Sequence, residues 1–182
     1  MTVHAALYQG AAHCLCYPDE RTRAHFPLVR AAVPQLAAFL DHAESASPTA
    51  LAEDYVRTFD FKNRHSLYLS WWADGDTRRR GASLVAFKET YRAHALEPTG
   101  EELPDHLPTV LEFTAATGSP DLLLTHRAGL ELLRIALTEH GTPYASVLDA
   151  VCRTLPGPSP RDRAQARALA RSGPPTETVG VD

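Results

Sequence analysis

The chain has 182 residues and a mass of 19.9 kDa, the size of one domain with room for a tail, and needs no disulfide staple to bury a core. Ala (28) and Leu (23) far outnumber Val (10) and Ile (1), which favours helices and argues against a β-sandwich or a large parallel sheet. A net charge of −4 and a pI near 6.1 lower the rank of any role built on gripping a phosphate backbone, so no nucleic-acid partner is expected.

In chain order, Ala5, Tyr8, Ala12 and Leu15 form a helical stripe ended by Tyr17-Pro18. Phe26, Val29, Val33, Leu36 and Leu40 form a second, in which Pro34 demands a kink or two short helices. Ser47-Pro48 reads as an N-cap with proline at the first helical position, ahead of Leu51, Tyr55 and Phe59. The same device recurs at Ser119-Pro120 and Thr142-Pro143. Ser66 to Trp72 fits either a short strand by alternation or a helix with Tyr68, Trp71 and Trp72 on one side, and pattern does not decide a run this short. A helix is expected from Arg78 to about Ala95, led by Asp76-Thr77, followed by a turn-rich linker, Glu97 to Pro104, holding Glu97, Glu101 and Glu102. Residues 119–140 are apolar nearly all round and read as one central helix. Tyr144, Val147, Leu148, Val151 and Leu155 then give the cleanest amphipathic stripe.

Pro156-Gly157-Pro158-Ser159-Pro160 ends the helical pattern. A weak basic helix over 161–171 and disorder over 172–182 are the expectation. The organisation is thus an all-α helical-bundle domain over residues 1–155 and a flexible Pro- and Arg-containing tail over 156–182, dispensable for folding. No apolar run approaches the roughly 18 residues of a membrane span. The first 18 residues hold no Lys or Arg, so they lack the basic start of a secretory signal. Three cysteines, with Cys14 and Cys16 too close to pair comfortably, fit a reduced cytoplasmic setting.

Candidate sites are few. His13-Cys14-Leu15-Cys16 lacks the paired spacing of a zinc site, and Asp74-Gly75-Asp76 is followed by Arg78, Arg79 and Arg80, which repel a cation. No metal and no cofactor is expected. Asp105-His106 suggests a catalytic dyad, but adjacent helix residues do not share a face and no nucleophile motif lies nearby. The residues instead favour a cap: Asp105 at the N-cap, His106 and Leu107 opening a helix, and Pro108 in its first turn. Tyr55, Phe59, Phe61, Tyr68, Trp71 and Trp72 form an aromatic patch flanked by Lys62, Arg64 and the arginine run. It reads as core with a solvated rim, as a single-stranded nucleic-acid surface, or as a peptide groove with aromatic anchors. The first outranks the second.

The order of three motifs goes further. Tyr55-Val56-x-Thr58-Phe59-Asp60, then Ser66-Leu67-Tyr68-Leu69, then Asp74 to Gly81 resemble the NarJ family, the molybdenum-cofactor assembly chaperones (delta subunits) of respiratory nitrate reductase. Glu102 to Pro108 with Leu111-Glu112-Phe113 is similar to a second signature, and His126 to Leu133 and Pro143-Tyr144 continue the match over residues 5 to 155. The resemblance implies an all-helical redox-enzyme maturation chaperone that catalyses nothing. It implies binding of the N-terminal segment of the apo catalytic (alpha) subunit, a remnant of a twin-arginine leader. That subunit is then held competent for insertion of molybdopterin guanine dinucleotide and an iron–sulfur cluster before membrane docking, with no insertion of the chaperone into the membrane. By the same resemblance the peptide-binding residues are Tyr68, Trp71, Trp72, Asp105, His106 and Leu107. Two positions depart from the pattern: Trp71-Trp72 stand for a pair of tyrosines, and Cys16 for an acidic residue. The rival from another class is a metal-dependent helical hydrolase using His with Asp105 or Asp76.

Overall fold

The computed structural model describes residues 4–61, 63–99 and 102–172. Among these no strand forms, and one isolated antiparallel bridge joins Tyr68 to His106. The central layer is α1 (Ala5–Leu15), α8 (Leu107–Thr117), α10 (Arg127–His140) and α11 (Tyr144–Cys152). Helix α1 lies against both α8 and α11, and α11 against α10. This follows from sequence: the stripes that read as helical faces are the buried ones, with Leu15, Leu107, Leu111, Tyr144, Val147, Leu148 and Val151 fully enclosed.

The N-terminal helices close one side. α2 (Glu20–Arg23) is short, and α3 (Phe26–Ala32) ends before a 3₁₀ turn at Pro34–Leu36, from which α4 (Ala37–Ser45) departs, the break that Pro34 demands. α5 (Pro48–Phe59) starts as read: the Ser47 hydroxyl accepts the Ala50 N–H at 3.2 Å. Tyr55 and Phe59 from α5 and Phe39 from α4 meet the Tyr144 ring at 4.8–6.1 Å.

The other two cap devices depart from the reading. The helix after Ser119 is α9 (Asp121–Thr125), with Pro120 at its N-cap; the Ser119 hydroxyl donates to the Asp121 carboxylate at 2.8 Å and accepts only a long bond, 3.4 Å, from the Asp121 N–H. Thr142 is taken by the end of the preceding helix, where its N–H reaches the Leu137 carbonyl after Gly141 turns left-handed at φ 76°, so α11 begins without a side-chain cap. The single helix expected over 119–140 is two, bent at His126. Bending lets Leu122 and Leu123 of α9 and Leu130 and Leu133 of α10 all reach the core, which one straight apolar rod does not.

Beyond residue 155, the expected end of the domain, described residues still pack on it. Residues 156–160 run along α10 as a strap, and α12 (Arg163–Ser172) packs on α10. Asp162 caps α12 through the Gln165 N–H at 2.8 Å, while the Gln165 side chain returns to the Arg161 N–H. Arg127 donates to the carbonyls of Pro156, Gly157 and Pro158, and Arg134 to that of Pro160. Both arginines flank the fully buried Glu131, which also accepts the Ser159 hydroxyl at 2.8 Å. Proline-rich composition shows that a helix stops there. It does not show that the buried Arg127 and the partly buried Arg134 wait for the carbonyls. The tail residues 173–182 lie outside the described residues.

Candidate functional site

The segment from Ser66 to Asp74 lies between α5 and α7 (Arg78–Ala93) and is neither strand nor long helix. It pairs with the Pro104-to-Leu107 turn: the Leu69 N–H reaches the Asp105 carbonyl at 3.0 Å, and the Leu107 N–H reaches the Leu67 carbonyl at 2.8 Å. Only at Trp71–Asp74 does it coil, as the one-turn helix α6.

Asp105 fastens this pairing. It is fully buried, and its Oδ2 accepts both the Ser70 N–H (3.2 Å) and the Ser70 hydroxyl (2.6 Å). Arg80 of α7 donates to the same hydroxyl at 3.2 Å and lies 3.8 Å from the carboxylate. The N-cap of α8 is His106, without a side-chain cap bond. The expectation that Asp105 caps this helix is therefore corrected: its carboxylate is turned inward to a longer-range partner, Ser70, which local pattern does not reveal.

Above this tether lies a cleft of about 440 Å³. Tyr17, Tyr55, Phe59 and Tyr68 supply aromatic walls, and Asp60, Glu102 and Glu112 supply carboxylates. Among the described lining residues there is no Lys or Arg. The Tyr68 hydroxyl donates to Glu102 at 2.5 Å, its ring meets His106 at 5.3 Å, and the Arg80 guanidinium sits 5.6 Å from the ring centre. Burial, and after it the bond to Glu102, raises the Tyr68 hydroxyl's pKa. Burial also lowers that of His106, against the pull of Glu102 and Asp105. The Cys16 thiol in the cleft wall is pushed up to about 11, first by burial and then by Glu112, Asp19 and Glu102. This favours its thiol form over the thiolate. The cleft is an anionic, aromatic trough suited to cations on apolar stems.

The six residues expected to bind peptide therefore divide. Tyr68 and His106 line the cleft. Asp105 and Leu107 lie beneath it, both fully buried. Trp72 faces the other way, its indole N–H donating to the Ser66 carbonyl at 3.0 Å and its ring packed on both apolar clusters. A Cβ added at Gly129 would lie 3.1 Å from Trp72 Cβ, so that glycine is what lets α6 sit on α10. Trp71 is half-buried and does not line the cleft. Tyr17, Glu102 and Glu112 enter the cleft from α1's exit, the linker and α8. In the sequence Tyr17 stands out only as an aromatic next to Pro18, and Glu102 and Glu112 only as members of the second signature, with no binding role attached. Among the described residues no group of three or more His, Cys, Asp or Glu is arranged to hold a metal ion. Nor is any described helix long and apolar enough to cross a membrane.

The model of the nitrate reductase delta subunit family matches residues 27–149, most of the chain and most of the cleft. The chain belongs to this family. It is 33% identical over 159 residues to the probable nitrate reductase molybdenum cofactor assembly chaperone NarJ of Bacillus subtilis, covering 80% of this chain and 86% of that one. It is 41% identical over 157 residues to the nitrate reductase-like protein NarX of Mycobacterium tuberculosis, covering 81% of this chain but 24% of NarX, so it spans about a quarter of that relative. With the Escherichia coli NarJ chaperone it shares 30% identity over 121 residues, 65% of this chain and 51% of that one. A redox enzyme maturation protein of Archaeoglobus fulgidus has the same fold, with a TM-score of 0.69, 20% identity, and coverage of 85% of this chain and 94% of that one.

Proposed function

We propose that this delta subunit family member is a non-catalytic, cytoplasmic chaperone of the nitrate reductase catalytic subunit. It binds the N-terminal segment of the apo subunit, holds it competent for molybdenum-cofactor insertion, and delays its docking at the membrane. Two assembly chaperones among the relatives support the client class. The observation that carries the reading in this chain is the cleft: aromatic walls, three carboxylates and no Lys or Arg among its described lining suit a basic, leader-derived peptide.

In this reading Tyr68 and His106 contact the peptide, and Glu102, Asp60 and Glu112 receive its cationic side chains. Asp105 and Leu107 act from below by holding Tyr68 and His106 in place. Trp72 backs the Ser66–Asp74 stretch from its far side, and half-buried Trp71 lies outside the cleft lining. The test is capture of the apo catalytic subunit with and without its N-terminal residues. Capture should depend on those residues and weaken when Glu102 is changed to Gln. Equal capture of both forms defeats the reading.

A further inference from the structure

The arginine run at 78–80 stands close to an anionic cleft and takes no part in its lining. Arg78 and Arg79 are exposed. Arg80 turns inward, with its side chain 22% exposed. The turn ahead of α7 brings this about. Gly75 takes a left-handed φ of 58°, and its N–H closes α6 on the Trp71 carbonyl. Asp74 then fixes the start of α7 twice: its carbonyl accepts the Thr77 hydroxyl at 2.8 Å and its carboxylate the Ser83 hydroxyl at 2.6 Å. From there Arg80, in the first turn of α7, reaches back to Ser70.

Its guanidinium meets three groups. Nε donates to Ser70 Oγ at 3.2 Å, Nη2 lies 3.8 Å from Asp105 Oδ2, and Cζ lies 5.6 Å from the centre of the Tyr68 ring. Among the described residues this is the one ion pair that Asp105 makes, and Asp105 Oδ1 accepts no hydrogen bond from any of them. A fully buried carboxylate bonded through one oxygen depends on its countercharge. One side chain thus joins α7, the Ser66–Asp74 stretch and the Pro104-to-Leu107 turn. Tyr68, against which it lies, is a cleft wall with its hydroxyl on Glu102. A lysine ammonium at this place gives one point charge and does not span three such groups.

We propose that Arg80 is a positioning residue of the cleft: by bridging Ser70 and Asp105 behind Tyr68, it holds the Tyr68 ring and hydroxyl where the client segment meets them, and does not itself touch the client. The proposal rests on the leader-peptide reading. Simple electrostatics gives the opposite sign. Arg80 is a cation beside carboxylates that receive a basic segment, so its charge alone opposes binding, and its removal alone would strengthen it.

The test is the calorimetric affinity of the full chain for a peptide copying the N-terminal segment of the nitrate reductase catalytic subunit, at a temperature where each variant is shown by circular dichroism to be folded. Affinity should fall about ten-fold in Arg80→Gln and about three-fold in Arg80→Lys, because Lys keeps the charge and loses the bridge. The effect passes through Tyr68, so in a Tyr68→Ala background Arg80→Gln should change affinity by less than about two-fold. Unchanged or tighter binding by Arg80→Gln, or an equal loss with and without the Tyr68 ring, overturns the proposal. If Arg80→Gln does not fold, Arg80→Lys carries the same comparison. A second arm follows the Tyr68 ring by NMR in protein made with isotopically labelled tyrosine, the signal being assigned by its absence in Tyr68→Phe. It should move or broaden in Arg80→Lys without peptide. Peptide binding by the natural chain together with an unchanged ring signal in Arg80→Lys overturns the proposal alone. A natural chain that does not bind the peptide defeats the leader-peptide reading, and the proposal with it.

Discussion

Replacing Asp105 separates two accounts of the same residue. As a helix N-cap, Asp105→Asn would be neutral and Asp105→Ala would cost about 1 kcal/mol. The structure gives a different result. The carboxylate accepts two hydrogen bonds from Ser70, itself fully buried, with Arg80 3.8 Å away. Each bond to a charged acceptor contributes about 1.5–3 kcal/mol, and alanine leaves a buried N–H and a buried hydroxyl without that acceptor. Asp105→Ala should therefore cost about 3–5 kcal/mol, a large share of a typical domain's stability. Asn retains one acceptor and loses the charge, so about 1–2 kcal/mol is expected for it. Urea unfolding at pH 7 reads both, through a lowered midpoint at unchanged slope. A double-mutant cycle with Ser70→Ala should return a coupling of at least about 1 kcal/mol. An alanine cost near 1 kcal/mol, a neutral Asn and no coupling to Ser70 would refute the tether.

The tryptophans should behave unequally: Trp72→Ala should cost about 3 kcal/mol of stability, because the ring packs on both apolar clusters, while Trp71→Ala should cost under about 1 kcal/mol, as thermal melts would show. A chain ending at Leu155 should lose about 2 kcal/mol or more in urea unfolding, since Leu132 and Ile135, each 6% exposed, would return to water. Stability should also fall with acid. Burial holds His106 and His126 below the ordinary 6.5 in the folded chain, so the unfolded chain binds more protons. Their contribution is intact above pH 6.5 and declines below it, by at most about 1.4 kcal/mol per pH unit for each ring, and unfolding midpoints between pH 7.5 and 5.5 should be shallower in pH for His126→Asn.

The helices were legible because their signals are local. The stripes at Ala5–Leu15, Pro48–Phe59 and Tyr144–Cys152, the Ser47 cap and the Pro34 break all appear where the spacing of apolar residues and prolines puts them. The departures share a cause, which is a partner distant in sequence. Asp105 points to Ser70 and not along its own helix, and the Thr142 backbone closes the previous helix. The strap at 156–160 finds Arg127 and Arg134 nearly thirty residues earlier, and α9 parts from α10 where His126 stacks on Phe87 at 4.5 Å. For the cleft, Tyr68 and His106 follow from motif resemblance, whereas Tyr17 and Glu112 become wall residues only when α1 and α8 are brought against each other.

The measurement that bears most directly on the function is calorimetric titration of the protein with a peptide copying the N-terminal segment of the nitrate reductase catalytic subunit, at two salt concentrations. The expected result is one-to-one binding that weakens as salt rises and falls at least about ten-fold in Glu102→Gln with Asp60→Asn, the two carboxylates contributing about 1.4 kcal/mol or more together. An absence of binding, or binding indifferent to salt and to both substitutions, would contradict the assignment of the anionic cleft as the client site.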